Sequence, residues 1–332
     1  MTEKTLVRTE ASDDPPVEAL LNAWLQHPTG ELAPLTVRRY RRAVLHFLSW
    51  YEEADGRALS KADLHPITLA GYRGALQDAA ATSTVNTHLS AVRTWCAWLH
   101  AQGYLPSNPA AHVKLISRQE SPAPRALQFA QVNALLRQAQ HTRYPARNTA
   151  VVQMLIQTGM RMSECAALRW EDLVYGERRG QVRIRGGKGN KARAVPLNNS
   201  VRQALAEYVS PSLGVAPTLK AVAAAWPHGS GQGRPLWTSE RHQQLSVREM
   251  SRIVHHLVRS CAARGLLPAD ATPHRLRHTF ATRYLATHSD DLIGLARLLG
   301  HSSLDTTIVY VQPTEEEVTA RLEGLDLNAY GR

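Results

Sequence analysis

Residues 271–310 form the segment that most constrains how this chain folds, with the sequence ATPHRLRHTFATRYLATHSDDLIGLARLLGHSSLDTTIVY. Thr272 is a good helix N-cap, and Pro273 suits the first position of the helix that follows. A helix that begins here places His274 and Arg277, three residues apart, on one face. The imidazole and the guanidinium can therefore bind the same group.

A second helix in this segment is expected to begin at Asp290 or Asp291 and to end at Gly300, because glycine suits the position just after a helix C-terminus. That end leaves His301 on the turn, with Tyr310 further along the chain. Taken singly, each of these polar groups is more often a surface or core residue. Taken together, two imidazoles, a guanidinium and a phenol are suited to holding a phosphodiester and attacking it with a tyrosine.

A junction between two helices is predicted upstream, at TGMRMSECAALRWEDL. Gly159 is expected to end one helix, Arg161 follows it closely, and Ser163 is predicted to be the N-cap of the next. Glu164 would then lie in the first turn, where an acidic residue is favourable. Arg161 would lie beside amide groups at a helix start, which favour anions.

The clearest β-hairpin of the chain is QVRIRGGKGNKARAVPL. Val182 and Ile184 alternate with arginines, GGKGN forms the turn, and Val195 and Leu197 lie on the returning strand. Lys188 lies on the turn. A lysine in such a place is normally a solubility residue, so the pattern alone assigns it no role.

The N-terminal part is predicted to contain four helices, at residues 17–25, 36–54, 66–79 and 82–103. Thr36 is expected to cap the second of them. Apolar residues recur at helical spacing in the second and fourth helices, which predicts a shared core.

The charge of the chain indicates a polyanionic partner. Lys and Arg number 39 against 28 Asp and Glu, a formal net charge of +11, and such an excess is typical of nucleic-acid binding. Basic and small polar side chains on the second and fourth helices fit contacts with phosphates and grooves, although a solvated face has the same composition. The candidate DNA-binding residues are Arg38, Arg39, Arg41, Arg42, Thr84, Asn86, Thr87, His88 and Arg93.

Two further segments are distinguished by their composition. Residues 114–125, KLISRQESPAPR, combine prolines with polar residues and are predicted to form a linker. Residues 210–234 are rich in Pro, Gly and Ala, and we expect them to form a variable excursion without chemistry of its own.

These elements occur in the order typical of one family. HRLRH, LLGH and the downstream tyrosine resemble the C-terminal signature of the tyrosine recombinase (phage integrase) family. TGMRMSECAALRWEDL resembles the first arginine box of that family, and GKGNKAR resembles its hairpin with a mobile lysine. The resemblance implies these catalytic residues: Arg161, Lys188 (with Lys191 as the alternative), His274, Arg277, His301 and Tyr310. It implies a supporting role for Glu164, which otherwise is an ordinary acid at a helix N-terminus.

The fold implied by this resemblance is mainly α with a small antiparallel β-sheet, arranged as a two-domain DNA clamp. Residues 15–113 would form a helical core-binding domain of the SAM-like type, and residues 114–125 the linker. Residues 126–332 would form an α+β catalytic domain with a C-terminal tail helix.

The implied activity is site-specific DNA recombination through a 3′-phosphotyrosyl intermediate. The implied partners are double-stranded DNA with inverted-repeat core sites and further copies of the chain, which would form dimers and tetramers on paired sites through the tail. The resemblance does not separate integration, excision and resolution. Because a phosphotyrosine retains the energy of the phosphodiester, no cofactor or metal is expected.

Three alternatives stay open at the level of sequence. One is a non-catalytic DNA-binding protein of the same fold, and another is a type IB topoisomerase, which shares the chemistry. The third is a metal-dependent phosphoesterase, suggested by 15 histidines and by the i, i+4 spacing of His274 and His278.

Cysteine usage and hydropathy indicate the compartment. Cys96, Cys165 and Cys261 are widely separated and include no CxxC pair, which argues against a disulfide framework or a thiolate zinc site. No apolar run approaches the length of a membrane span, and the N-terminus does not resemble a signal peptide. We expect a cytoplasmic, nucleoid-associated protein.

Overall fold

The structure is a computed structural model that describes residues 15–26, 34–117, 126–186, 192–227, 233–300 and Thr307. The chain divides into two compact units, Met1–Ser121 and Pro122–Arg332, called here the first and second units. The boundary between them falls inside the segment predicted as a linker. The fold is mainly helical with a three-stranded antiparallel sheet, as predicted.

Four helices build the described part of the first unit: α1 (Val17–Gln26), α2 (Pro34–Asp55), α3 (Pro66–Ala79) and α4 (Thr82–Ala101). The prediction that Thr36 caps α2 is wrong, because the helix already begins at Pro34. Proline fits the first turn of a helix, where its fixed φ and missing N–H cost nothing. The core of this unit contains Phe47 of α2 and Val85 and Trp95 of α4, all fully buried.

Asn86 of α4 binds the chain near the end of the first unit. Its side-chain amide donates to the carbonyl of Ile116 at 2.9 Å, and its side-chain oxygen accepts from the Ile116 amide at 2.8 Å. Val113 and Ile116 pack against the core of this unit. The beginning of the predicted linker is therefore bound to the first unit.

The second unit combines helices with one small sheet. Its elements are α5 (Phe129–Gln140), α6 (Pro145–Thr158), α7 (Met162–Ala166), β1 (Leu173–Tyr175), β2 (Gly180–Ile184), β3 (Arg193–Pro196), α8 (Asn199–Leu213), α9 (Leu219–Ala225), α10 (Val247–Ala263), α11 (Pro273–Thr287) and α12 (Leu292–Leu299). The predicted hairpin is confirmed as β2 and β3, which pair Val182 with Val195 and Ile184 with Arg193. The strand β1 adds to its edge and was missed, because three residues give too short a pattern.

Residues 210–227 contain the end of α8 and all of α9, and a few of their side chains lie in the packed core although most are exposed or half-buried. The expectation of an excursion is therefore wrong for those buried side chains. Val222 of α9 is fully buried. Trp226 lies with its ring centroid 4.9 Å from Tyr175 and 4.8 Å from Trp170. Aromatic contacts of this kind stabilise a core beyond their buried area. The tryptophan, rather than the surrounding small residues, decides how the segment packs.

None of the helices within the described ranges is both long and apolar enough to cross a bilayer. Cys96, Cys165 and Cys261 are buried free thiols. Burial raises the pKa of Cys96 to about 12, which disfavours the reactive thiolate.

Candidate active site

Arg277 lies inside the second unit and joins the ends of two helices. As predicted, Pro273 occupies the first position of α11, although Thr272 at the N-cap makes no side-chain capping bond. The Arg277 guanidinium, 5% exposed, donates from Nη1 to the carbonyl of Gly159 at 2.7 Å and from Nη2 to the carbonyl of Leu299 at 2.8 Å. It therefore ties the end of α6 to the end of α12.

Gly159 has to be a glycine for two reasons. Its backbone is left-handed, with φ of 62°, a conformation that side chains with a Cβ disfavour. A Cβ at this position would also lie 2.3 Å from Cδ1 of Phe280 and 2.9 Å from Cδ2 of Leu299. Phe280 of α11 and Leu299 of α12 therefore approach closely the turn whose carbonyl Arg277 binds.

Arg161 is the N-cap of α7, which begins at Met162. The predicted N-cap, Ser163, is therefore wrong by two positions. The reason is Glu164, whose carboxylate reaches back to accept the Arg161 amide at 2.7 Å and so satisfies a free N–H of the helix start. The same carboxylate accepts from Nη1 of Arg161 at 2.9 Å.

Arg193 is a further component of this site that the sequence did not single out. Its Nη1 and Nη2 bind the two oxygens of Glu164 at 3.0 and 2.8 Å. Burial alone would raise the pKa of Glu164, but the hydrogen bonds from Arg193 and Arg161 outweigh it and lower the pKa to about 2. Glu164 is thus a carboxylate shared by two arginines.

His274 completes the cluster that the structure describes. It is exposed on the first turn of α11. Partial loss of surrounding water lowers its pKa, and the positive charges of Arg277 and Arg161 lower it further. The lowered pKa favours the uncharged imidazole, which can accept a proton at one ring nitrogen and donate a hydrogen bond from the other. Arg161 lies more than a hundred positions from His274 and Arg277 in the sequence, yet the charges of both arginines act on the same imidazole in the fold.

Trp237 packs in the core and binds α7 through a backbone carbonyl. It is fully buried, and its indole Nε1 donates to the carbonyl of Cys165 at 2.8 Å. This bond satisfies a carbonyl at the end of the short helix that begins with Arg161 and Glu164. Trp237 therefore fixes the position of that helix without reaching the site itself.

Several predicted site residues lie outside the described residues: Lys188, the alternative Lys191, His301 and Tyr310. The described chain stops on either side of the hairpin turn, at Gly186 and Ala192. On the other side of the site it reaches Gly300, which ends α12 in a left-handed conformation with φ of 66°, as expected. The segments that carry the predicted lysine and the second histidine thus begin at the described cluster.

The candidate DNA-binding residues of the first unit fall into two groups. The four arginines of α2 are exposed, as are Thr84 and Thr87 of α4. Asn86 uses its amide on Ile116, and Nδ1 of His88 lies 2.8 Å from the hydroxyl of Tyr72. A DNA contact by Asn86 or His88 would have to compete with these bonds. Arg93 is half-buried.

Metal ligation finds little support in the described residues. They contain no group of three or more His, Cys, Asp or Glu side chains arranged to hold a metal ion. His278, one half of the histidine pair that suggested a metal, is buried with Nε2 3.5 Å from Oγ1 of Thr282. The i, i+4 spacing puts both histidines on one face of α11, but His274 is exposed and His278 is buried.

Comparison with known protein families gives two matches that together cover most of the chain. Residues 125–317 match the phage integrase family, and residues 22–103 match the phage integrase N-terminal SAM-like domain. The tyrosine recombinase XerC of Rhodospirillum centenum is 33% identical over 310 residues, covering 90% of this chain and 83% of the relative. The XerC of Agrobacterium fabrum is 32% identical over 322 residues, covering 93% of each chain.

Solved structures show the same fold. The integrase of transposon Tn1549 in complex with a circular-intermediate DNA has a TM-score of 0.68 at 19% identity, covering 93% of this chain and 99% of that one. The XerH recombinase bound to its difH substrate has a TM-score of 0.63 at 20% identity, covering 87% and 79%. The chain belongs to the phage integrase family and is a tyrosine site-specific recombinase.

Proposed function

We propose that this recombinase cleaves and rejoins DNA through a 3′-phosphotyrosyl intermediate formed by Tyr310. The observation that carries the proposal is the convergence of Arg161, His274 and Arg277 around the turn at Gly159. Arg277 binds the carbonyl of that glycine, and Arg161 follows it by two residues. Two guanidinium groups beside one imidazole suit a single phosphodiester.

The chemistry of each group follows from the charge of the phosphate. A phosphodiester repels an oxygen nucleophile, and negative charge grows on its non-bridging oxygens during attack, so Arg161 and Arg277 would neutralise both effects. A phenol ionises near pH 10 in water, about three units above neutrality. Nearby cations favour its ionised form, and the neutral His274, together with His301, would help to accept the proton and bind the phosphorane.

In each step one phosphorus–oxygen bond would form and one would break. The Tyr310 oxygen forms a bond to phosphorus, and the bond to the 5′ oxygen breaks. Lys188 would give that oxygen a proton, so that it leaves as a hydroxyl. Attack by another 5′-hydroxyl reverses the steps and releases Tyr310. Neither ATP nor a metal is needed for either half, because the phosphotyrosine keeps the energy of the original bond.

We further propose that the substrate is double-stranded DNA with inverted-repeat core sites, bound by copies that assemble into a tetramer on two paired sites. The net charge of +11 and the exposed arginines of α2 support a DNA partner. Action on this substrate would place the protein with the nucleoid. The XerH and Tn1549 proteins were each captured on DNA, which supports the same reading here.

The test is Tyr310→Phe on a nicked duplex bearing the inverted repeat that the wild-type protein selects from random-sequence DNA, called here the selected duplex. The variant should bind this duplex normally and form no denaturant-stable adduct. Tyr284→Phe is the matched control. It removes a hydroxyl that donates to Asp291 at 2.5 Å on the same unit, and it should still form the adduct. An adduct with Tyr310→Phe would show that another residue is the nucleophile.

A further inference from the structure

Arg193, the first residue of β3, is a buried arginine whose hydrogen bonds join three segments of the second unit. Its side chain is 5% exposed. Nη1 and Nη2 bind both oxygens of Glu164 at the start of α7. Nε donates to the carbonyl of Leu298, in the last turn of α12, at 2.7 Å. A guanidinium can serve all three acceptors at once because its donors lie in one rigid plane.

The bond to Glu164 affects Arg161 directly. The Glu164 carboxylate, 10% exposed, also accepts from the Arg161 amide and guanidinium. Without Arg193 this carboxylate would lose the cation that binds both of its oxygens, and a poorly hydrated carboxylate binds the cations that remain, Arg161 among them, more tightly. Arg193 supplies the second cation, so the Arg161 side chain, 42% exposed, can turn its donors toward a phosphate.

The bond to Leu298 affects the other side of the site. Arg277 binds the next carbonyl, that of Leu299, so two guanidinium groups hold consecutive carbonyls at the end of α12. His301 lies three residues after Leu298. The end of the helix therefore sets where the chain toward this histidine begins.

Arg193 also lies at the base of the hairpin that carries Lys188. It pairs with Ile184 across the last described rung of the ladder between β2 and β3, and Lys188 is five residues upstream. The hairpin turn thus starts from a strand end that is bound to α7 and to α12. The same side chain connects the segments that lead to three predicted catalytic residues.

We propose that Arg193 is a positioning residue for strand cleavage, which aligns Arg161 through Glu164 and fixes the chain segments leading to Lys188 and His301. This inference rests on the proposed function, since it takes the catalytic roles of those residues from there. A misplacement of about 1 Å can cost about 100-fold in rate. Loss of Arg193 should therefore lower the cleavage rate without lowering the affinity for DNA.

The experiment measures single-turnover adduct formation on the selected duplex, at saturating protein, for Arg193→Met and Arg193→Lys. We expect the rate constant of Arg193→Met to fall about 10- to 100-fold, with half-saturation within about twofold of the wild-type value, because phosphate contacts outside the site carry most of the binding. Arg193→Lys keeps the charge but cannot bind two carboxylate oxygens and a carbonyl in one plane. Its rate constant should therefore lie between those of the wild-type protein and Arg193→Met.

Arg202→Met is the matched control. Arg202 of α8 is also a buried arginine that binds backbone carbonyls, those of Gly176 and Glu177. Its removal should lower stability while the folded protein cleaves at the wild-type rate. A second control combines Arg193→Met and Glu164→Gln in one double variant and compares it with each single variant. If Arg193 acts through Glu164, the double variant should lose much less than the product of the two single losses.

The outcomes separate this inference from the proposed function. An adduct formed by Arg193→Met at the wild-type rate would overturn the positioning role alone, as would equal rate losses in Arg193→Met and Arg202→Met. If Arg193→Met does not fold, the same comparison is made with Arg193→Lys, whose wild-type rate would overturn the role. If the wild-type protein itself gives no adduct through Tyr310, the proposed function falls and this assignment falls with it.

Discussion

The Arg277 guanidinium donates a 2.7 Å hydrogen bond to the carbonyl of Gly159, a residue 118 positions away in sequence. The turn that carries this carbonyl is left-handed, and Phe280 lies so close to it that it leaves no room for a side chain on Gly159. The arginine is therefore oriented by a backbone carbonyl, whose position does not depend on a side chain at residue 159. This explains how a long, flexible residue can keep one position before any DNA is bound.

Gly159→Ala should destabilise the fold strongly. The new methyl would meet Phe280 at 2.3 Å in addition to the strain of its left-handed backbone, for a cost of about 2–5 kcal/mol. Gly214→Ala is the control, since Gly214 is also left-handed but a Cβ there meets nothing within 4 Å. It should cost about 1–2 kcal/mol. Urea unfolding of both variants measures the difference, and equal losses would contradict the overlap argument.

Arg277→Lys should lose most of its cleavage activity while retaining DNA binding. A lysine keeps the positive charge but cannot donate to the carbonyls of Gly159 and Leu299 in one plane while it faces a phosphate. We expect a fall of about 100- to 1000-fold in the rate of adduct formation.

The control for this change is Arg275→Lys, on the same helix. Arg275 binds the exposed carboxylate of Asp270 at 3.1 and 2.8 Å, and no phosphate contact is proposed for it. Its variant should cleave at nearly the wild-type rate. Near wild-type cleavage by Arg277→Lys would remove the argument that a planar guanidinium is required.

Glu164 should make the stability of the protein depend on acid pH. Its pKa is lowered from 4.5 to about 2 in the fold, so between these values the unfolded chain binds more protons than the folded one. The stabilisation is present above about pH 4.5 and is lost as the pH falls toward 2. It corresponds to roughly 3 kcal/mol at about 1.4 kcal/mol per pKa unit.

The measurement compares urea unfolding of the wild-type protein and Glu164→Gln from pH 7 to pH 3. The variant should be less stable above pH 5, and the gap should narrow as the pH falls. Glu240→Gln is the control, because Glu240 forms an exposed ion pair with Arg143 and such pairs contribute little at any pH. A gap that stays constant down to pH 3 would show that Arg193 and Arg161 do not hold the carboxylate in its charged form.

Lys188→Ala should be rescued on a selected duplex whose leaving group is a 5′-thiol. A thiolate leaves without a proton, so the rate of adduct formation should return toward the wild-type value if Lys188 is the general acid. The rescue should be specific to this position, and Arg161→Lys should gain nothing from the same substrate. Without rescue, the proton comes from another group, and Lys191→Ala is the next variant to test.

Short-range patterns predicted those parts of the structure that short-range contacts decide. Gly159 and Gly300 end their helices where expected. Helices often end at a residue with left-handed backbone, and glycine, which adopts that conformation most easily, can be seen in the sequence. The hairpin was predicted from the alternation of apolar residues and the glycine-rich turn between them, and β2 and β3 pair as expected. Helical spacing predicted that His274 and Arg277 share one face. Their association with Arg161 came from a family resemblance, since no local pattern brings residues together across more than a hundred positions.

Long-range partners account for what the sequence did not give. Arg193 looked like one basic residue among several in a hairpin, and its role depends on Glu164 and Leu298, which are 29 and 105 positions away. Asn86 looked like a surface group suited to DNA, but it binds Ile116. In both cases a polar side chain makes hydrogen bonds to a backbone carbonyl or a poorly hydrated carboxylate, and the amino-acid composition cannot reveal such a partner.

The last prediction concerns the C-terminal tail, whose residues Val318, Leu322 and Leu325 recur at helical spacing and lie outside the described residues. A groove of about 890 Å³ in the second unit is lined by apolar side chains, among them Phe280, and by the polar residues Gln157, Arg193 and Arg297. An apolar stripe behind the acidic residues 315–317 complements such a surface. We propose that the tail of one copy binds this groove on the next copy and thereby positions the Tyr310 of that neighbour.

Truncation after Gln312 should leave binding to half of the selected duplex nearly unchanged and abolish cooperative assembly and recombination. The truncated protein alone should form no adduct, and neither should Tyr310→Phe alone, which keeps the tail. A mixture of the two separates docking between copies from docking within one, because the truncated chain supplies the tyrosine and the variant supplies the tail. An adduct on the truncated chain, recognised by its smaller mass, is expected if the tail acts on a neighbour. If the mixture stays inactive, the tail does not act between copies; if the truncated protein recombines by itself, the tail does not couple them at all.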